Sequence, residues 1–162
     1  MKNKIKVIIF DLDDTLYDTS NRLPGKNSPN FADMKLLSGV RETLEQIKTK
    51  KILLTHGVKE IQEKKIDTLG IRGLFDEIII VPSNTDKIPI FEKIAKEYPD
   101  PETVMAVGDR RDAEIRYGNM QGFVTVLASG FKYKNLLPQD DSDVPVHKIK
   151  SFRELGGIIA SY

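Results

Sequence analysis

Phe10-Asp11-Leu12-Asp13-Asp14-Thr15-Leu16 follows directly on Ile5-Lys6-Val7-Ile8-Ile9. The leading run is short, apolar and β-branched, the pattern of a strand covered on both faces. The string after it sets two carboxylates two residues apart at that strand's carboxyl end. Charges placed there need a partner, a hydrogen-bond shell or a metal. The carboxyl ends of parallel strands are also where open α/β sheets bind their ligands. The stretch therefore predicts a buried parallel sheet and, at its edge, a carboxylate site suited to a divalent cation.

Working outward, the same strand pattern recurs. Lys4–Phe10, Lys51–Thr55, Glu77–Val81, Thr103–Val107 and Phe123–Leu127 are compact runs rich in Ile and Val. Amphipathic segments lie between them. Val40, Leu44 and Ile47 share a helical face after Gly39, and Ile61, Lys65, Ile66 and Leu69 make a stripe that Gly70 closes. Phe91, Ile94, Ala95 and Tyr98 form a third stripe ended by Pro99, and Ser151–Ile159 reads as a closing helix with Ser151 as N-cap and Glu154 three residues on. Alternating strands and helices predict right-handed βαβ units around a mostly parallel sheet of about five strands. Thr19–Asp33, with Pro24, Gly25, Asn27, Pro29 and Asn30, reads as a loop that flanks or covers the acidic string, and Gln139–Pro145 as a surface loop.

The 162 residues suit one domain, 1–162. With 25 Lys and Arg against 24 Asp and Glu, the net charge of +1 makes no electrostatic case for nucleic acid or an anionic membrane as partner. The absence of Cys excludes disulfides, thiolate metal sites and thiol catalysis. No run is long enough to span a bilayer, and the N-terminus lacks a secretory pattern, so a cytoplasmic location is expected.

The residues just beyond each strand belong to one sheet edge: Asp11 and Asp13; then Thr55, His56 and Gly57; then Lys87; then Gly108, Asp109, Arg110, Arg111, Asp112 and Glu114. Carboxylates can hold Mg²⁺, a hard cation that prefers oxygen. A hydroxyl, backbone N–H groups and a lysine can hold a phosphoryl group. Together they suit phosphoryl transfer, in which positioning and charge neutralisation supply most of the catalysis. Taken alone, Asp11 and Asp13 would equally cap a turn or pair with lysines.

The order of these elements resembles the haloacid dehalogenase-like (HAD) hydrolase superfamily. The resemblance is carried by Asp11-Leu12-Asp13-Asp14-Thr15, Leu53-Leu54-Thr55-His56-Gly57, Lys87 and Val107-Gly108-Asp109-Arg110-Arg111-Asp112-Ala113-Glu114. Leu69-Gly70-Ile71 through Phe75-Asp76-Glu77-Ile78 is similar to a connecting segment of its phosphatases. The resemblance implies a three-layer, Rossmann-like core and a Mg²⁺-dependent phosphomonoester hydrolase. Asp11 would be the nucleophile that forms an aspartyl-phosphate. Asp13 would be the acid and base at the leaving oxygen and the attacking water, its main-chain carbonyl also on the metal. Thr55, His56 and Lys87 would bind the phosphoryl group, and Asp109 would complete the metal site with Asp11. For its second acidic residue, Asp112 is favoured and Glu114 is the alternative. Dehalogenases of the superfamily lack a carboxylate at the Asp13 position, so its presence points to phosphate esters. Thr15 and residues 16–26 would form the family's helical turn and hairpin.

Several residues are left outside this scheme. His56 replaces the small polar amide common in the family. His147 reads as structural or exposed, one of Arg110 and Arg111 as a steering charge, and Tyr117 stands where relatives keep a small residue. Only residues 16–37 remain for a cap between Asp11 and Thr55, so a capless or minimally capped enzyme is expected. Its open site would admit a large phosphorylated substrate, or a neighbouring subunit would close it, with Arg22 and Lys26 near the leaving group. Two rivals are a non-catalytic metal- and phosphate-binding regulator, and a phosphotransferase or mutase.

Overall fold

The computed structural model describes residues 4–20, 29–128 and 135–162. Six strands, β1 Val7–Phe10, β2 Lys50–His56, β3 Glu77–Val81, β4 Val104–Gly108, β5 Val124–Ala128 and β6 His147–Ile149, pair in parallel in the order β3-β2-β1-β4-β5-β6. The five expected strands are present within one to three residues at their ends. The sixth has no sequence signal because His147-Lys148-Ile149 is three residues long and two of the three are polar. It pairs from His147 opposite Val126 to Ile149 opposite Ala128.

Helices cover both faces. They are α1 Val40–Gln46, α2 Lys59–Leu69, α3 Ile88–Glu97, α4 Arg116–Met120 and α5 Leu155–Ala160. The period-two alternation of β1 divides the core: Ile8 and Phe10 pack with Val40, Leu44, Ile66, Leu69, Leu155 and Ile159. Val7 and Ile9 pack on the other side with Phe91, Ile94, Ala113, Tyr117 and Phe123. This is the three-layer α/β fold the sequence predicts. Phe10 packs edge-on against Phe75, with ring centroids 5.9 Å apart. Tyr117 packs the same way against Phe91 and accepts a hydrogen bond from Asn84 Nδ2 at 3.2 Å, so the large residue there fills the core.

Local signals set the element ends. Gly70 caps α2 in the left-handed conformation, and the Ser151–Glu154 capping box opens the last helical segment as a 3-10 turn, Phe152–Glu154. The 139–145 segment is more than a surface loop: it contains a 3-10 turn, Asp141–Asp143, whose buried Asp143 pairs with Arg116 at 2.7 Å. That guanidinium holds the Asp143 carboxyl below the usual range. His147 accepts from or donates to Tyr162 Oη at 2.8 Å. Among the described residues no helix is long and apolar enough to cross a membrane. Arg22 and Lys26 lie outside the described residues, as does most of the expected 16–26 hairpin.

Because Phe10 joins the aromatic cluster to the central strand, Phe10→Ala should cost about 3–5 kcal/mol of stability. Urea unfolding monitored by circular dichroism would read this as a lower midpoint with an unchanged slope.

Candidate active site

Strand order reverses at β1: β2 lies on one side and β4 on the other. The crevice outside such a reversal is the place where doubly wound sheets hold ligands. Asp11 leaves β1 and Asp109 leaves β4 at this point, tied by the Asp11 N–H donating to Val107 O at 3.1 Å. Asp11, Asp109 and Glu114 are all buried, and each offers one carboxylate oxygen within 4.8 Å of the others.

Lys87 enters from the opposite side. A capping box between Ser83 and Asp86 forms the 3-10 turn Asn84–Lys87, and α3 follows at once. Its ammonium is 1% exposed and donates to Asp11 Oδ1 at 2.9 Å and to Glu114 Oε1 at 2.5 Å. These two carboxylates hold its pKa far above the ordinary lysine value despite burial. Three carboxylates against one ammonium leave two formal negative charges in the crevice.

That excess has visible effects. Burial and the Glu114 charge push the Asp11 carboxyl up, and burial together with Asp11 and Glu114 pushes Asp109 up further. Thr15 Oγ1 lies 3.4 Å from both Asp11 Oδ2 and Asp109 Oδ1, and its single proton serves one at a time. Asp109 Oδ2 and Glu114 Oε2 are buried with no hydrogen-bond partner among the described residues. Orphaned carboxylate oxygens in a site with two surplus negative charges fit a hard divalent cation.

Asp112, favoured from the sequence over Glu114 as the second acidic residue of the Asp109 motif, stands elsewhere. Arg110 Nε and Nη2 donate to its two oxygens at 3.0 and 2.8 Å, and it is half-exposed. The physical reason is a π-helical turn, Arg111–Ile115. Its wider winding, a feature often found at functional sites, swings Glu114 inward and leaves Asp112 at the rim. Gly108 makes room for this: a Cβ there would lie 2.7 Å from Glu114 Cβ, Cγ and Oε2. Arg111 is turned away, donating to Asp143 O at 3.2 Å.

Asp13 belongs to a second, separate set. It receives Lys65 Nζ on Oδ1 at 2.8 Å, Tyr17 Oη on Oδ1 at 2.5 Å and Gln62 Nε2 on Oδ2 at 3.1 Å. Against burial, Lys65 leads these donors in holding its carboxyl below the usual range. The turn that orients it is strained, with Asp14 at φ 58° and its carboxylate accepting from Thr19 N and Oγ1. Thr55, at the end of β2, accepts from Gln62 Nε2 at 2.6 Å. His56 follows it; burial and Lys87 lower its pKa, and its buried Nδ1 has no partner. The structure thus gathers Asp11, Asp13, Thr55, His56, Lys87 and Asp109 at one edge, adds Glu114, and leaves Asp112 out. Gln62 and Lys65 were missed. Lys65 sat in a helical stripe, and only its polarity on an inward face signalled another role.

The chain is similar to several known proteins. The model of the haloacid dehalogenase-like hydrolases matches residues 29–118. The glyceraldehyde 3-phosphate phosphatase of Methanopyrus kandleri is 35% identical over 136 residues, covering 80% of this chain and 58% of that protein. The chain thus spans less than two thirds of that relative's length. A conserved HAD-like protein of Agrobacterium tumefaciens superposes with a TM-score of 0.72 at 16% identity over 97% of this chain and 98% of that one. A magnesium-bound HAD hydrolase of Bacillus subtilis does so at 0.70 and 15% identity, covering 96% and 98%. The L-2-haloacid dehalogenase of Xanthobacter autotrophicus gives 0.69 at 11% identity, covering 97% and 99%. At such identities the structural likeness speaks for the fold alone.

The raised carboxyls give a signed expectation. A carboxyl whose folded pKa exceeds its unfolded value leaves the native state holding more protons, so stability falls as pH rises above about 4. Asp109→Asn should therefore raise the melting temperature of the cation-free protein by a few degrees at pH 8 and by less at pH 5. Added Mg²⁺ should stabilise the wild type more than this variant. Differential scanning calorimetry in chelator and in Mg²⁺ reads both, and a variant less stable than wild type at pH 8 contradicts the account.

Proposed function

The chain belongs to the haloacid dehalogenase-like hydrolase family, and from that membership we propose that it is a Mg²⁺-dependent phosphomonoester hydrolase working through an aspartyl-phosphate on Asp11. The observation that carries the reading is the separation of two carboxylates two residues apart. Asp11 sits on Lys87 beside orphaned oxygens, while Asp13 is held by Lys65, Tyr17 and Gln62. Carboxylates in such different surroundings suit different tasks.

Lys87 fixes Asp11 Oδ1, and Oδ2 has only the long contact from Thr15, which leaves it to attack phosphorus. The P–O bond to the leaving group breaks as the Asp11 O–P bond forms, and Asp13, which takes up a proton when the anionic substrate binds beside it, delivers that proton to the departing oxygen. Asp13 then takes a proton from water, which attacks the same phosphorus and returns Asp11 and inorganic phosphate. The Thr55 hydroxyl, the Lys87 ammonium and the His56 imidazole would bind phosphoryl oxygens. Asp11, Asp109, Glu114 and the Asp13 main-chain carbonyl would hold the cation, which supplies neutralisation of phosphoryl charge. Asp13 also favours phosphate esters over carbon–halogen substrates, because only an oxygen leaving group needs a proton. The Methanopyrus relative suggests small phosphorylated carbonyl compounds as the first substrates to assay.

Hydrolysis of p-nitrophenyl phosphate should require Mg²⁺ and vanish in Asp11→Asn. Asp13→Asn should retain a small remnant, on the order of a hundredth of wild type or less. Phosphate release by Asp11→Asn at the wild-type rate would remove the nucleophile from the scheme.

A further inference from the structure

Helix α2 turns two long polar side chains inward, which apolar packing does not explain. Gln62 is 2% exposed and Lys65 7%. Helices on a sheet ordinarily bury an apolar stripe, as Ile66 and Leu69 do here. Residues 62 and 65, one turn apart, instead face the carboxyl edge of the sheet. Gln62 Nε2 donates to Thr55 Oγ1 at 2.6 Å and to Asp13 Oδ2 at 3.1 Å, and Lys65 Nζ donates to Asp13 Oδ1 at 2.8 Å. The amide orientation follows from chemistry, since an ionised carboxylate only accepts and must meet the amide nitrogen. Room for the amide comes from Gly57, at φ 139°, where a Cβ would come within 3.3 Å of Gln62 Cδ.

Two consequences are atomic. Gln62 is the donor to Thr55 Oγ1, so the hydroxyl proton of Thr55 is left to point elsewhere. Both oxygens of Asp13 are held from α2, so the helix sets the plane of that carboxylate; Oδ1 also accepts from Tyr17 Oη, while Oδ2, with Gln62 as its donor, keeps a second lone pair to face the substrate.

We propose that Gln62 and Lys65 are positioning residues for phosphoryl transfer. Gln62 aims the Thr55 hydroxyl at the phosphoryl group, and Gln62 and Lys65 together hold Asp13 in the orientation that serves the leaving oxygen. The inference rests on the function proposed above. It makes α2, which contributes no nucleophile or cation ligand, the element that links phosphate binding to proton delivery.

The test compares kcat/KM for p-nitrophenyl phosphate, whose leaving oxygen departs as a stable anion, with that for glycerol 1-phosphate, whose alkoxide needs a proton. Lys65→Met should lower the alkyl value at least ten-fold more than the aryl value, and Lys65→Arg should restore most of it. In an Asp13→Asn background Lys65→Met should change the alkyl-to-aryl ratio no further, because the two act as one unit. Gln62→Leu should lower both esters and raise KM, since it also frees Thr55. If Lys65→Met fails to fold by circular dichroism, Lys65→Gln carries the same comparison. An equal loss on both esters, or a full additional loss on top of Asp13→Asn, overturns the inference. With Asp11→Asn inactive, that outcome leaves the phosphatase reading standing; an active Asp11→Asn overturns the reading itself.

Discussion

A lysine ammonium buried between two carboxylates makes this sheet edge possible. Without Lys87, Asp11, Asp109 and Glu114 would stand as three uncompensated buried charges, at a cost of several kcal/mol per ion. With it, the cluster is only partly balanced. The remaining imbalance is expressed in raised carboxyl pKa values and in two oxygens without donors. A core packed purely for stability would have replaced the group with apolar side chains. The fold instead holds it at the strand-order reversal, where the ladder between β1 and β4 sets the spacing of Asp11 and Asp109.

The second organising choice is separation. Asp13 is only two residues from Asp11, yet its oxygens are taken by Lys65, Tyr17 and Gln62 and not by Lys87. The chain turns tightly straight after Asp11, with Leu16 N–H donating to Leu12 O and Asp14 strained within the turn, and the neighbouring carboxylates meet different electrostatic surroundings. One backbone turn thus divides an anionic, cation-ready pocket from a cation-paired one.

Much of this was legible in the residues. The apolar runs before Asp11, Thr55 and Asp109 marked buried parallel strands, and the Gly70 and Ser151 signals marked helix ends that the structure keeps. What escaped has physical reasons. β6 is short and carries His147 and Lys148, so no periodicity announced it. The inward turn of Glu114 in place of Asp112 depends on a π-helical turn, and winding of that kind leaves no trace in residue spacing. Lys65 reads only as a member of the helical stripe of Ile61, Ile66 and Leu69, and Gln62 carries no signal, because which face of α2 meets the carboxyl edge is decided by tertiary packing.

The parallel register also acts as a gauge of correct assembly. Phe10 lies opposite Val107, and the next residue on each chain continues into the acidic crevice through Gly108. A slip of one residue between β1 and β4 would shift the strands by about 3.3 Å and turn every β1 side chain to the opposite face. Asp11 would then leave Lys87 and Glu114, and no cluster would exist for a cation to bind. A divalent ion held by this cluster would therefore stabilise only chains whose central strands have paired in register. Cation affinity would then double as a check on the slowest kind of contact a folding chain must make, long-range parallel pairing.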